Sequence, residues 1–192
     1  EDGTKNETPF GYIFGANSYS ENGKYVPSSL KEVIISDVCN SIGSSAFYGC
    51  SSLTSITLPF IGDGTTNNTH FGYIFGANSS SENNKYVPSS LKEVIISDIC
   101  TSIGSSAFEG CSSLQYNKYD KCNYLGNDSN PYHVLISYET KCQTYEINSK
   151  CKIVCGFAFL DCASLTSIII PDSVTSIGDF AFSRCTSLAS VT

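Results

Sequence analysis

LTSIIIPDSVTSIGDFAFSRCTSL, residues 165–188, holds one whole structural cycle. Leu165, Ile168 and Ile170 are spaced as a short strand, Pro171 cannot donate to a strand ladder, and Asp172 with Ser173 supplies a turn. A second apolar pair, Val174 and Ile177, follows. Gly178 lets the chain bend, and Ala181-Phe182 puts one small and one large apolar side chain on a helical or 3₁₀ turn before Cys185 and Leu188. The step from Leu165 to Leu188 is 23 residues, and the template recurs along the chain.

Phe10–Leu53 returns 61 residues later as Phe71–Leu114, differing only at Tyr19/Ser80, Gly23/Asn84, Val38/Ile99, Asn40/Thr101 and Tyr48/Glu109. Within it, Leu30–Leu53 and Leu91–Leu114 are again steps of 23, and Leu53–Leu91 is a step of 38 with fifteen extra residues. Ile74-Phe75 takes the place that Ala46-Phe47 has in its neighbour. The excess falls around residues 62–68 and 79–86, rich in Gly, Asn, Ser and Thr, and reads as surface loops. Counting back from Ala158-Phe159 gives a degenerate unit with Cys142 at the leucine position, Tyr145 and Ile147 on the strand, and Cys151 and Val154 as the second pair. The units are therefore 30–52, 53–90 (with the insertion), 91–113, 142–164 and 165–187, all in one array spanning 1–192. Residues 114–141 form a further insertion, in which Tyr124-Leu125, the turn-rich GNDSNP and the alternation Tyr132, Val134, Ile136, Tyr138 predict a β-hairpin carried on the array. Asp2-Gly3-Thr4 matches Asp63-Gly64-Thr65, and LASVT matches LTSII, so the ends read as a window on a longer array without capping units.

One 23-residue coil has a single apolar side and cannot bury it alone. Stacked coils pair their strands at ~4.8 Å and bring like residues into columns. The expected inward columns are Leu30/Leu53/Leu91/Leu165, Val33/Ile56/Val94/Tyr145/Ile168, Ile35/Leu58/Ile96/Ile147/Ile170 and Phe47/Phe75/Phe108/Phe159/Phe182, forming one continuous stack. The predicted fold is a curved right-handed solenoid of short parallel β-strands, with short helical or 3₁₀ turns on the convex side.

The 192 residues are 41% hydrophobic and 15% charged, enough for a sizeable core. A net charge of −7 with 11 Lys and Arg gives no basic footprint for nucleic acid or an anionic membrane. No run approaches the ~20 apolar residues that would insert into a bilayer, and the start EDGTKNETP lacks a secretory signal.

The pattern LxxIxxPxxVxxIGxxAFxxC, met in LTSIIIPDSVTSIGDFAFSRC, resembles the leucine-rich repeat of BspA-like surface proteins, the Treponema pallidum type. The resemblance is strongest at 30–59, 91–114 and 142–188. It implies a leucine-rich repeat solenoid and an extracellular, cell-surface protein. Such proteins are associated with adhesion to host proteins or to other cells, so the implied partner is a surface or matrix protein of a host or neighbouring cell.

On the repeat, Cys50, Cys111, Cys162 and Cys185 share the position after the Ala-Phe turn, Cys39, Cys100 and Cys151 share that of Val174, and Cys142 replaces a leucine. These eight read as core thiols that behave as small hydrophobes. Cys122 and Cys155 fall outside the columns and are the disulfide candidates. No CxxC pair suggests zinc, no cofactor motif appears, and His70 and His133 lie in insertions without a catalytic motif, so neither a metal site nor an enzyme is expected. Asp37, Asp98 and Asp172 at the strand ends read as turn caps, and Asn6, Asn67, Asn78 and Asn127 match the glycan acceptor pattern.

Two surfaces remain as candidates for binding. On the outward strand face, Ile34, Ile95 and Ile169 stand where a solvated sheet would be polar, flanked by Lys31, Glu32, Lys92, Glu93 and Ser167. The insertions offer aromatic residues, notably Tyr12, Tyr25, Tyr86, Tyr124 and Tyr132. The expected function is non-enzymatic protein binding or adhesion, with a structural spacer that presents another domain as the alternative.

Overall fold

The computed structural model describes residues 9–65 and 69–192; Asp2-Gly3-Thr4, Asn6 and Asn67 lie outside the described residues. Each repeat becomes one coil of a leucine-rich repeat β-solenoid of about seven turns. Parallel strands β1 (Glu32–Ile34), β2 (Ser55–Leu58) and β3 (Glu93–Ile96) form one sheet, in which Val33, Ile56 and Val94 are register partners. Three strands of the insertion and the second half follow in the chain: β4 (Asn117–Tyr119), β5 (Cys122–Leu125) and β6 (Val134–Tyr138). Beyond them lie β7 (Thr144–Glu146), β8 (Ile153–Val154), β9 (Ser167–Ile169), β10 (Ser176–Ile177) and β11 (Ser190–Val191). β7, β9 and β11 make a second parallel sheet, with Tyr145, Ile168 and Val191 in register. The period of two puts Ile56 and Leu58 inside and Thr57 outside, as alternation on a half-buried strand requires.

The opposite edge is built from the Ala-Phe turns. The Phe N–H of one coil donates to the Ala carbonyl of the next: Phe10 to Ala46 at 2.9 Å and Phe159 to Ala181 at 2.7 Å. Each turn uses two left-handed residues. Ser45, Ser106, Phe157 and Phe180 precede the Ala with φ of 55–61°, and Gly49, Gly110, Asp161 and Arg184 follow the Phe by two with φ of 56–73°. Gly marks only two of these eight positions, because a turn hydrogen-bonded to an adjacent coil tolerates the ~1–2 kcal/mol cost of the left-handed conformation.

In the long unit the FGYIF segment is a 3₁₀ helix, Phe71–Phe75, ended by Gly76 at φ 104°. It splits the duty of one Ala-Phe turn. The Ile74 carbonyl accepts the Phe47 N–H at 2.7 Å, and the Phe71 N–H donates to Ala107 at 2.9 Å. Residues 79–86 are not simply a surface loop. Asn83 is wholly buried, and its Oδ1 accepts the Gly72 N–H at 2.9 Å while its Nδ2 donates to the carbonyls of Ala107 and Glu109 at 2.9 and 3.0 Å. A side chain at position 72 would collide with that Oδ1, which is why the segment needs Gly there. Asn22 does the same for Gly11 and Ala46.

The interior is not one continuous stack. Two apolar clusters form, and the insertion is the wall between them. β5 and β6 are the expected antiparallel hairpin, with β4 as an added third strand, but β6 also pairs in parallel with β8, and β8 with β10. The hairpin is thus built into the array rather than carried on it. Leu125, Val134, Ile153 and Cys155 face the first cluster; Cys122, Tyr124, Leu135 and Val154 face the second. A sheet covered on both faces takes continuous apolar runs, and VLI at 134–136 and IVC at 153–155 are such runs. Reading residues 132–138 as alternating leaves out Leu135, which is fully buried.

All ten cysteines are free. Cys50, Cys100, Cys111, Cys151 and Cys162 are buried, whereas Cys39, Cys142 and Cys185 are half-buried. Cys122 and Cys155, the disulfide candidates, are also buried thiols, but they face opposite sides of the wall. Burial pushes the thiols of Cys50, Cys100 and Cys151 up to about 11 and those of Cys111 and Cys122 up to about 12.

Candidate functional site

The outward strand residues divide between the two sheets. In the first, Ile34, Thr57 and Ile95 are register partners in one row, with Ile34 68% exposed. Glu32 and Glu93 lie two residues earlier on the same face, each held in line by pairing with Ser55, whose hydroxyl donates to the Glu93 carboxylate at 3.0 Å. Lys31 and Lys92 reach back to the carbonyls of Ser28 and Ser89, at 2.9 and 2.7 Å, which keeps each ammonium at the rim of the sheet. In the second sheet Ile169, 51% exposed, pairs with Glu146, and Ser167 lies two residues before it. The three isoleucines therefore do not form one row. Ile95 is half-buried because Gly126 bridges to it and gives its carbonyl to the Ile96 N–H at 2.9 Å.

The aromatic candidates separate further. Tyr12 is 57% exposed on the first FGYIF helix, Phe10–Phe14. Tyr25 and Tyr86 are half-buried, with the Lys24 and Lys85 ammonium groups 4.8 and 5.0 Å from their ring centres. Tyr132 is half-buried, edge-on to Tyr119 and Tyr124 at 5.9 and 5.6 Å. Tyr124 is no surface residue: it is fully buried in the wall, where its hydroxyl oxygen accepts the Asn148 N–H at 3.3 Å. A strand with both faces covered leaves no side for a partner to touch. Sequence reasoning passed over Tyr19 and Tyr48, which with Tyr86 make a surface row across three coils, at ring separations of 5.7 and 6.4 Å. The signal was present, because Tyr19 and Tyr48 are two of the five positions at which the long repeats differ.

The polar residues of the insertions turn out to join coils. His133 is buried, and its Nε2 donates to the Cys100 carbonyl at 3.0 Å, with Nδ1 3.7 Å from Asp98. Asp98 does not cap its own turn. It accepts from Asn127 Nδ2 at 2.8 Å and from the Ser129 hydroxyl at 3.3 Å, so it grips the hairpin. Asn127 Nδ2 also donates to the Ile96 carbonyl at 3.0 Å, so a glycan on that nitrogen would break the junction; Asn78 is exposed. His70 Nε2 donates to the Ala77 carbonyl at 3.0 Å, within its own segment. Among the described residues no group of three or more His, Cys, Asp or Glu side chains is placed to hold a metal ion, and no helix is long and apolar enough to cross a membrane.

No curated protein matches the sequence. Among solved structures, the chain is similar to a leucine rich cell surface protein from Faecalibacterium prausnitzii, with 23% identity over 88% of this chain and 62% of that one, at a TM-score of 0.39. It is also similar to the T. pallidum leucine rich repeat protein, with 22% identity over 87% and 60% of the two chains and a TM-score of 0.33. A leucine-rich repeat protein from Bacteroides ovatus shares 26% identity over 85% of this chain and 37% of that one, at a TM-score of 0.33. The chain thus spans less than two thirds of the length of each. The BspA type leucine rich repeat region matches residues 21–129 and 135–192 in six copies. With its coils, columns and Ala-Phe ladder, the chain belongs to the BspA type leucine rich repeat family.

Proposed function

We propose that this chain is a non-enzymatic, extracellular protein-binding segment that holds a surface or matrix protein of a host or neighbouring cell. The observation that carries the reading is the outward strand face. Ile34 at 68% exposure and Ile169 at 51% stand on paired strands with no layer over them, where a solvated face would be polar. Rim charges at Glu32, Glu93, Lys31 and Lys92 give that face the mix of apolar centre and polar border common to protein interfaces. Family membership supports a place at the cell surface. The histidines support a non-catalytic role, since both give Nε2 to backbone carbonyls.

The test is a triple charge graft, Ile34→Glu, Ile95→Glu and Ile169→Glu. Adhesion to host cells or immobilised matrix protein falls at least ~tenfold if the strand face binds. Adhesion that stays level in a folded triple variant makes the array a spacer that presents another domain.

A further inference from the structure

The Ala-Phe ladder misses one rung. Phe10, Phe47, Phe71, Tyr138 and Phe159 each donate a backbone N–H to the next coil, to the carbonyls of Ala46, Ile74, Ala107, Ala158 and Ala181. Phe108 holds the same position in its coil, yet among the described residues its N–H meets no acceptor. The cause lies in the wall. Ser137-Tyr138 comes where the next Ala-Phe turn belongs, but as extended chain paired with Asn123 and Cys122 of β5, and it offers the Phe108 N–H no acceptor. The space left is a cleft of about 390 Å³, walled by Phe108, Tyr116, Ile136, Cys155, Phe157 and Leu160.

The aromatic rings break at the same place. Phe14, Phe10, Phe47, Phe75, Phe71 and Phe108 follow one another at centroid separations of 4.9–6.1 Å. The row resumes only at Tyr138, Phe159 and Phe182. One coil earlier, the same chain shows what fits such a gap. The 3₁₀ turn Phe71–Phe75 lies between Phe47 and Phe108, gives the Ile74 carbonyl to the Phe47 N–H, and sets a ring against each neighbour.

We propose that the cleft beside Phe108 is a docking site for a short aromatic 3₁₀ turn of a partner protein, whose carbonyl accepts the Phe108 N–H and whose ring fills the gap in the row. The Phe108 N–H gains a protein acceptor, and an aromatic ring offers large apolar area at low entropy cost. The site is distinct from the outward strand face and stands whether or not that face binds.

The probe is a fluorescein-labelled peptide of the chain's own residues 70–77, HFGYIFGA. It binds saturably at ~10–100 μM, and hydrogen exchange at the Phe108 amide slows at least ~fivefold on binding. Leu160→Glu weakens binding at least ~tenfold, whereas Ile169→Glu leaves it unchanged. Absence of saturable binding, or binding with the Phe108 exchange rate unaltered, overturns the proposal; both are read on the unsubstituted chain. Self-association of the chain that the peptide abolishes would give the cleft to a second copy and overturn its assignment to a partner protein.

Discussion

Tyr19 meets Tyr48 edge-on with ring centres 5.7 Å apart, and 61 residues later their equivalents, Ser80 and Glu109, meet through a hydrogen bond of 2.8 Å. Two of the five differences between the long repeats are thus one difference, made on both sides of a contact between coils. Tyr19→Ser alone leaves the Tyr48 ring with Tyr86 on one side only, and Tyr48→Glu alone sets a carboxylate beside the Tyr19 ring. Each single change should cost about 0.5–1.5 kcal/mol, and the double variant should recover at least about 0.5 kcal/mol of the sum. A urea-unfolding cycle measures it, and simple additivity would show the two positions to be uncoupled.

Asn83 is a larger commitment, since it ties the FGYIF helix to the next coil through three hydrogen bonds, two of them buried. Asn83→Ala orphans the Gly72 N–H and should lower stability by about 1–3 kcal/mol. The exposed neighbour Asn84 serves as control, its change to Ala staying within about 0.5 kcal/mol. Equal urea midpoints for the two variants would refute the latch.

Phe159 and Phe180 belong to adjacent coils, and both stack on another Phe, but only Phe159 is inside. Phe159→Ala should cost about 3–5 kcal/mol, because its ring is fully buried between Tyr138 and Phe182. Phe180, stacked on Phe157 at 5.4 Å, is 66% exposed, and its change to Ala should cost under about 1 kcal/mol. Thermal melts of the two variants separate the outcomes.

The buried thiols set an alkaline limit. Cys50, Cys100, Cys111, Cys122 and Cys151 have folded values of about 11–12 against an ordinary 9.0. Between those values the unfolded chain has lost protons that the folded chain keeps, so stability is full below pH 9 and falls as pH rises toward 11–12. Urea midpoints should decline across that window and stay flat with respect to these groups just below it. Ellman titration of the unfolded, unreduced chain should return ten thiols.

The coils were legible because their columns rest on side-chain type at fixed spacing: Val33, Ile56 and Val94 are partners in the sheet as they are in the repeat. The wall was only half legible. The GNDSNP turn marks a hairpin, but that its strands have two buried faces depends on β8, which lies some twenty residues further on, pairing beside β6. The left-handed positions at Phe157, Phe180, Asp161 and Arg184 carried no signal, since their backbone is set by neighbouring coils rather than by residue type. Of the candidate surfaces, exposure of Ile34 and Ile169 followed from alternation, whereas burial of Tyr124 followed from the tertiary position of its strand.

The cross-wall formed by β5, β6 and β8 gives the array a bulkhead. Coils peeled away from either end lose only their own contacts, one rung at a time, until the unravelling reaches strands anchored on both sides at once. Pulled between its termini, the molecule should lengthen in small steps from each half, with the hairpin and its flanking coils surrendering last and together.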